Sequence, residues 1–181
     1  MDSNISIKTS FCDFNLVCEK FDDFGFSICL PDFLDELTEE EIVAKFTETE
    51  NVLAARADIK CKVGLTLSAE SLEVPETTNL DDYFESLFYH YEYEISQSTS
   101  NYERTDMQYV KNNEYTLTWL SYRSSFSEND IYNVFFFALL DNILVSGTFS
   151  CLFDECEEWK LVFLICLNSF KSCPEGSAIS G

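Results

Sequence analysis

Hydrophobic and polar residues alternate over much of the chain, at the spacing of two that is typical of half-buried β-strands. The pattern predicts a strand–turn–strand unit over residues 5–30, which Pro31 ends because proline has no backbone N–H to donate. Alternation returns over residues 51–67 and predicts a further strand. Five of its side chains are expected on one face: Ile59, Cys61, Val63, Leu65 and Leu67.

Helical signals interrupt this alternation at three places. Thr38 and Glu41 have the spacing of a capping box and predict the start of a short helix. Over residues 79–97 apolar residues recur every three or four positions, which predicts a long helix with acids and tyrosines on its opposite face. Asp154 and Glu157 predict the cap of a last helix. Its inward side chains are expected to be Trp159, Val162, Phe163, Cys166 and Phe170.

The second half of the chain predicts a hairpin-rich sheet. A turn at Lys111-Asn112-Asn113 joins two strands, and Asp141-Asn142 joins two more by a two-residue hairpin. Residues 131–140 are almost continuously apolar, so we expect that strand to be covered on both faces.

Together these elements predict an α/β fold with a mainly antiparallel central sheet, flanked by three amphipathic helices as an α/β/α sandwich. No linker-like stretch divides the chain. We therefore expect one globular domain over residues 1–173, followed by a short C-terminal tail over residues 174–181.

Charge narrows the possible partners. The chain has 33 acidic and 11 basic residues, a formal net charge of −22, and the first 100 residues hold 22 of those acids and 6 of those bases. Such an excess repels phosphates and argues against nucleic-acid binding. It attracts basic partners, and it also serves solubility alone; the composition is compatible with either role.

The eight cysteines lie mostly within apolar runs, and no CxxC pair occurs. The start of the chain lacks the pattern of a signal peptide, so we expect reduced, buried thiols and a cytoplasmic protein. The longest apolar run, Leu161 to Leu167, is too short to cross a bilayer. His90 is the single histidine, which makes a zinc site improbable.

Motifs of catalysis and of nucleotide or metal binding are missing from the sequence. Paired carboxylates such as Asp81-Asp82 occur at predicted helix starts, where capping explains them. We therefore expect a protein without enzymatic activity and without a cofactor.

Three stretches resemble sequences of the PsbP-like superfamily. Residues 24–33, Phe-Gly-Phe-Ser-Ile-Cys-Leu-Pro-Asp-Phe, are similar to its F-x-F-x-x-P-x-x-W/F opening. Residues 131–149 resemble its paired late strands, and residues 158–171 resemble its closing helix. The resemblance implies the sheet-and-helix fold and the role of a non-enzymatic adaptor, chaperone or assembly factor; some bacterial members serve secretion-system effectors. It implies no particular site residue.

Charge and resemblance together favour an acidic protein-binding module. The most concrete form is a bacterial cytosolic immunity or chaperone protein that masks a basic toxin or effector. Acids would supply charge complementarity, and tyrosines would supply rigid contact area. The predicted partner-binding residues are Asp35, Glu36, Glu39, Glu40, Glu85, Tyr89, Glu92 and Tyr93.

Other functions stay open at this point. An aromatic pocket between sheet and helices would suit a small hydrolase, a small-ligand-binding protein or a lipid carrier, although such rings also fill ordinary cores. A secretion or assembly adaptor is a further alternative. An exposed sheet edge near residues 143–149 would let two copies pair, so both a monomer and a homodimer are compatible with the sequence. The rings expected in the pocket are Trp119, Tyr122, Phe135 and Phe137.

Overall fold

The structure, a computed structural model, describes residues 5–45, 52–72, 79–111, 115–140 and 142–173. In these ranges the chain forms eleven strands and three α-helices. In chain order they are β1 (Ile5–Lys8), β2 (Asp13–Phe21), β3 (Phe26–Pro31), β4 (Asp35–Glu36), α1 (Glu39–Lys45), β5 (Val52–Asp58), β6 (Val63–Ser71), α2 (Leu80–Ser98), β7 (Glu103–Lys111), β8 (Thr116–Phe126), β9 (Asn129–Leu140), β10 (Ile143–Leu152), α3 (Cys156–Asn168) and β11 (Lys171–Ser172).

The strands form two sheets in which every neighbouring pair is antiparallel, as the hairpins predict. The larger sheet has the order β4-β5-β6-β10-β9-β8-β7, and the smaller has the order β1-β2-β3-β11. The exposed edge considered at residues 143–149 does not exist, because β10 lies between β6 and β9 in the middle of the larger sheet. The long edge strand is β7.

The larger sheet is covered on both faces, as the apolar sequence of β9 predicts. On one face, β3, β6, β9 and α3 supply most of a large core around Trp159 and Phe163. On the other face, Phe84 and Phe88 of α2 pack against Phe137 of β9 in a smaller core. Alternate residues of β9 thus enter different cores.

The predicted α/β/α sandwich is only partly right, because the protein is mainly β. The smaller sheet shares one layer with α3, so α2 and α3 lie on opposite faces of the larger sheet. In α1, none of the four residues whose burial is described, Glu39–Ile42, is buried. A seven-residue helix with three acids in its first turn has little apolar surface to place against a sheet.

The first strands follow the sequence prediction closely. A short 3-10 helix, Asp22–Phe24, separates β2 from β3 and ends at Gly25 with φ 67°, a value that glycine adopts without steric cost. β3 ends at Pro31, as predicted.

The strand predicted over residues 51–67 is in fact a hairpin of β5 and β6. Ile59 and Cys61 lie in its turn, and Ile59 is 91% exposed. Alternation of apolar residues continues through the turn by chance, and Lys62 with φ 50° breaks the extended backbone there.

The helix starts were predicted with mixed success. The capping box is confirmed: the Glu41 N–H donates to the Thr38 hydroxyl at 3.3 Å, and the Thr38 N–H donates to the Glu41 carboxylate at 2.9 Å. The predicted Asp154 cap of α3 is wrong, because a 3-10 turn over Phe153–Glu155 precedes the helix and no side chain caps it. The inward residues of α3 are buried as expected, and Phe170 is buried just beyond its end.

Two predicted turns can be judged by the strands around them. Lys111 pairs with Thr116, and Leu140 pairs with Ile143, so both hairpins form. Residues 112–114 and 141 lie outside the described residues. The tail at 174–181 does too, so the expected single domain ending at 173 stays a prediction.

A disulfide joins two strands of the smaller sheet, and a half-buried ion pair joins that sheet to β5. Cys18 and Cys29 face each other across β2 and β3 and are joined as a disulfide, so the expectation of reduced thiols is wrong for these two cysteines. Arg56 of β5 reaches across to β2, where its Nη2 donates to Glu19 at 3.0 Å.

In the part of the chain that the structure describes, no helix is long and apolar enough to cross a membrane.

Candidate functional site

The eight predicted partner-binding residues form two separate groups. Four of them, the β4–α1 acids, lie in the first third of the chain: Asp35, Glu36, Glu39 and Glu40. The other four, Glu85, Tyr89, Glu92 and Tyr93, lie on α2. β4 is one edge of the larger sheet, whereas Phe84 and Glu85 of α2 lie beside β7, which is the opposite edge. The structure therefore does not bring the eight into one surface.

The β4–α1 acids are all exposed, but one of them, Glu36, already forms an ion pair with an arginine. Arg56 Nη2 lies 3.4 Å from Glu36 while the same guanidinium binds Glu19. The hydrogen bond to Glu19 is the main reason why the pKa of Arg56 is raised. A cavity of about 300 Å³ lies beside this edge and is lined in part by Leu37 and Leu65, but none of its described lining residues is aromatic.

The α2 group differs because two exposed aromatic rings accompany its acids. Tyr89 is 54% exposed and Tyr93 is 63% exposed. Glu85 is also exposed, and no described Lys or Arg lies within 4 Å of its carboxylate. Leu80–Ser98 contains five acids and no Lys or Arg, so the whole helix presents negative charge.

Glu92 does not belong to this exposed surface, contrary to the prediction. It lies four residues after the buried Phe88, which places it at the margin of the inward face. Its carboxylate accepts hydrogen bonds from Arg104 at 2.8 Å and from the Tyr102 hydroxyl at 3.1 Å. Burial and the neighbouring Glu92 raise the pKa of Tyr102. Glu92 therefore links α2 to β7, and its carboxylate is already bound by these two side chains.

A groove of about 410 Å³ runs between α2 and β7. Its floor includes Phe84 and Phe88, and Phe84 meets the Tyr109 ring edge-on at 5.9 Å between centroids. Met107 and Tyr109 of β7 are 44% and 46% exposed, so the groove has an open apolar wall. We call it the α2–β7 groove. Its lining residues are Phe84, Glu85, Phe88, Tyr89, Met107, Tyr109, Lys111 and Thr118.

The other side of β7 faces α3. Lys160 of α3 contacts Asp106 at 3.1 Å, and this hydrogen bond is the main reason why the pKa of Asp106 is lowered. A small recess of about 70 Å³ lies beyond it, lined in part by Val110 and Leu164. Leu161, one turn of α3 away from Leu164, is exposed.

β7 itself was the main feature that sequence reasoning missed. Its residues are exposed except Val110, which is half-buried, and among the described residues only β8 pairs with it. The sequence predicts a strand at Met107 and Tyr109, but it does not show that this strand is an edge. The available signal was its charge: four of nine residues are Glu, Arg, Asp or Lys, as is common on edge strands.

Chemically active clusters are scarce in the parts of the chain that the structure describes. No group of three or more His, Cys, Asp and Glu side chains there could hold a metal ion. His90 is exposed and lies 3.3 Å from Glu94 on the same helix. Two free thiols, Cys12 and Cys61, lie close together with their sulfurs 3.7 Å apart, and burial and the neighbouring Cys12 raise the pKa of Cys61 to about 12, which disfavours its reactive thiolate.

The four aromatic rings of the pocket hypothesis do not surround one cavity. Trp119 is buried in the large core, whereas Tyr122 and Phe137 are buried in the smaller one on the opposite face of the sheet. Phe135 packs against that smaller core. These rings fill the interior, and the open aromatic surface is the α2–β7 groove.

Comparison with known proteins finds likeness at the level of structure. No family model and no curated protein matches the chain. The solution structure of cyanobacterial PsbP from Synechocystis matches with a TM-score of 0.66 and 15% identity, over 87% of this chain and 92% of that one. A Pseudomonas aeruginosa protein of unknown function, called a putative regulator, gives 0.51 and 8%, over 94% and 98%. The Saccharomyces cerevisiae Ran-binding protein Mog1p gives 0.51 and 7%, over 96% and 97%.

Proposed function

We propose that this chain, which has the PsbP-like fold of those three structures, is a protein-binding module that captures a positively charged partner at the α2–β7 groove. One observation carries the proposal: an exposed Met–Tyr wall lies directly beside a helix with five acids and no Lys or Arg. Of the two acidic groups, only this one has exposed aromatic rings among the described residues beside it.

That combination is what protein interfaces use. Tyrosine and methionine are enriched at interfaces. Tyrosine buries a large apolar area with few rotatable bonds, and the flexible side chain of methionine adapts to the surface of the partner. Glu85 and Tyr89 lie on successive turns of α2, so a basic side chain and an apolar one of the partner can be bound together. The acids guide the encounter, and the apolar wall supplies the burial that holds the complex.

The likeness in fold supports the same class of function. One protein with this fold, Mog1p, binds the protein Ran. For the present chain we propose the finer role of a bacterial cytosolic immunity or chaperone protein that masks a basic toxin or effector, acting without catalysis. The support for this role is the net charge of −22, which favours fast capture of a strongly basic protein.

A peptide selection tests the proposal. A phage-displayed library of random twelve-residue peptides is selected on the immobilised protein at physiological salt. We expect enriched peptides to combine Lys or Arg with large apolar residues. Loss of Tyr89 contact area in Tyr89→Ala, and of charge in Glu85→Gln, should each weaken binding of a synthetic enriched peptide about five- to tenfold.

The matched control is Glu39→Gln, which removes the same charge from the β4–α1 acids at the opposite edge of the sheet. It should leave affinity within about twofold of wild type, since surface charges this far apart are screened. Equal weakening by Glu39→Gln and Glu85→Gln would show nonspecific attraction and contradict the α2–β7 groove as the site. A selection without enrichment would contradict the function itself.

A further inference from the structure

The outer edge of β7 is a second, independent feature of the same region. We propose that the partner segment binds as an additional β-strand along β7, with alternate side chains entering the spaces on its two faces. This deepens the proposed function and rests on it. The occupant is an extended segment of another protein, at least five residues long, with apolar residues on both faces and a Lys or Arg near Glu85.

The direction of the β7 backbone supports strand addition. The Gln108 carbonyl accepts a hydrogen bond from the Thr118 hydroxyl of β8 at 3.0 Å, so it points toward β8. In an antiparallel sheet the polar groups of successive residues point to opposite sides. Those of Met107 and Tyr109 therefore point outward, away from β8.

One outward N–H already has a substitute partner. The Met107 N–H donates to the Asp106 carboxylate at 2.8 Å, an acceptor from the neighbouring side chain. A carbonyl of an added strand can take this place, because the Asp106 carboxylate also binds Lys160 and keeps that contact. Strand addition thus replaces a local hydrogen bond and leaves no buried donor unsatisfied.

The register of the added strand is limited by a β-bulge. The pairing of β7 with β8 shifts between Arg104 and Asp106, and bulges twist an edge away from further pairing. The stretch from Met107 to Lys111 pairs regularly with β8. Among the described residues, no second strand lies beside the four edge residues from Met107 to Val110, and these are open to a regular ladder.

Both faces of this stretch offer space for side chains. Residues of an added strand that point toward α2 enter the open wall of the α2–β7 groove, beside Met107 and Tyr109. Residues that point toward α3 lie beside Val110 and Leu164 at the smaller recess. Alternating side chains of one extended segment fit this two-sided arrangement.

Charge decides between a foreign strand and a second copy of this chain. Two copies would bring together two net charges of −22 and would set two acidic α2 helices near one interface. Such like-charge approach opposes association. A basic foreign segment gains from the same field, so we commit to that occupant.

A synthetic peptide tests the inference. The probe is a ten-residue peptide with blocked ends in which pairs of valines alternate with pairs of lysines, so that both faces of the extended peptide carry valine and lysine. Its binding is measured by calorimetry at physiological salt. In the protein, Tyr109→Pro removes the outward N–H without removing a hydrogen bond to β8, and Tyr109→Ala removes the side chain but keeps that N–H. Loss of ladder hydrogen bonds should make Tyr109→Pro bind about tenfold more weakly than Tyr109→Ala.

The unaltered protein gives a second measurement, which stands even if Tyr109→Pro fails to fold. Nuclear Overhauser contacts between α-protons of the peptide and of Met107–Val110 are expected for a paired strand. A control peptide with proline in place of the two central valines should lose these contacts. Equal affinities of the Pro and Ala variants, or binding without these contacts, would overturn strand addition while leaving the peptide-selection result for the groove intact.

The remaining outcomes are also decisive. Failure of the valine–lysine peptide to bind, when selected peptides do bind, would overturn the strand mode alone. A dimer in light scattering that Tyr109→Pro abolishes would overturn the choice of a foreign strand.

Discussion

Gly147 of β10 lies where no side chain fits. A Cβ at this position would approach the Thr66 carbonyl oxygen to 2.5 Å and the Phe136 ring to 2.7 Å. Both neighbours are fixed, one as backbone of the adjacent strand and the other as a fully buried ring of the large core. We therefore expect Gly147→Ala to lower the free energy of unfolding by about 1–3 kcal/mol, measured by urea denaturation.

The matched variant is Gly64→Ala in the neighbouring strand β6. There a Cβ would meet the Ser150 hydroxyl at 3.0 Å, a side-chain atom that can rotate away. Its effect should stay within about 0.5 kcal/mol of wild type. Similar losses in both variants would show that strand glycines in general, and not the close contact at Gly147, determine the cost.

Single residues also show where sequence reasoning ends. Ile59 and Glu92 each continue a local pattern, yet one lies in a turn and the other binds Arg104. The Cys18–Cys29 disulfide follows from the register of β2 and β3, and apolar flanking residues carry no information about register. The exposure of Tyr89 and Tyr93, by contrast, was correctly predicted because helical periodicity fixes the outer face.

Between elements, the Asp106–Lys160 pair joins β7 to α3. Lys160 lowers the pKa of Asp106 below its ordinary 3.8, so the pair stabilises the fold above that pH and loses its effect as the pH falls through the folded-state value. Because Asp106 is nearly half exposed, we expect Asp106→Asn to cost only about 0.5 kcal/mol at pH 7. The measurement is the urea midpoint of both proteins at pH 7 and near pH 2.

Toward the lower pH the two midpoints should converge, because protonation of the folded-state carboxyl removes its ionic contact with Lys160. The control is Glu128→Gln at the exposed β8–β9 turn, which should show no such pH-dependent difference. A cost of Asp106→Asn that persists unchanged near pH 2 would contradict an ionic origin.

Helices and strands were predicted best where interactions between residues close in sequence determine the element. The Thr38–Glu41 capping box and the stripe of α2 depend on residues a few positions apart, and both are confirmed. The edge position of β7 depends on which strands lie between β4 and β7, and no local pattern contains that order. For this reason the sequence predicted only one wall of the α2–β7 groove. It predicted the exposed face of α2 but not the edge position of β7.

For the whole molecule, net charge should limit stability. An excess of 22 negative charges repels itself in the compact state, and salt shortens the range of that repulsion from about 10 Å at 0.1 M to about 3 Å at 1 M. We expect the Tm to rise by several degrees over this range of sodium chloride, in scanning calorimetry.

A variant with both Asp35→Lys and Glu128→Lys, two acids outside the helices, separates repulsion from the general effect of salt on apolar burial. These acids are exposed, so the exchange reduces the net negative charge without disturbing a core. Its Tm should be higher at 0.1 M and should rise less with salt. Equal salt responses would mean that screening of the excess charge is not the cause.

The two cores differ greatly in size: 28 buried residues of the described chain belong to the large one and 7 to the one beneath α2. Free energies of local opening follow such differences, so α2 is expected to detach transiently before the rest of the fold does. In native-state hydrogen exchange its amides should form a separate, weaker cooperative unit. A partner bound across α2 and β7 would close that unit, and the protein would thereby couple occupancy of the groove to its own resistance to proteolysis.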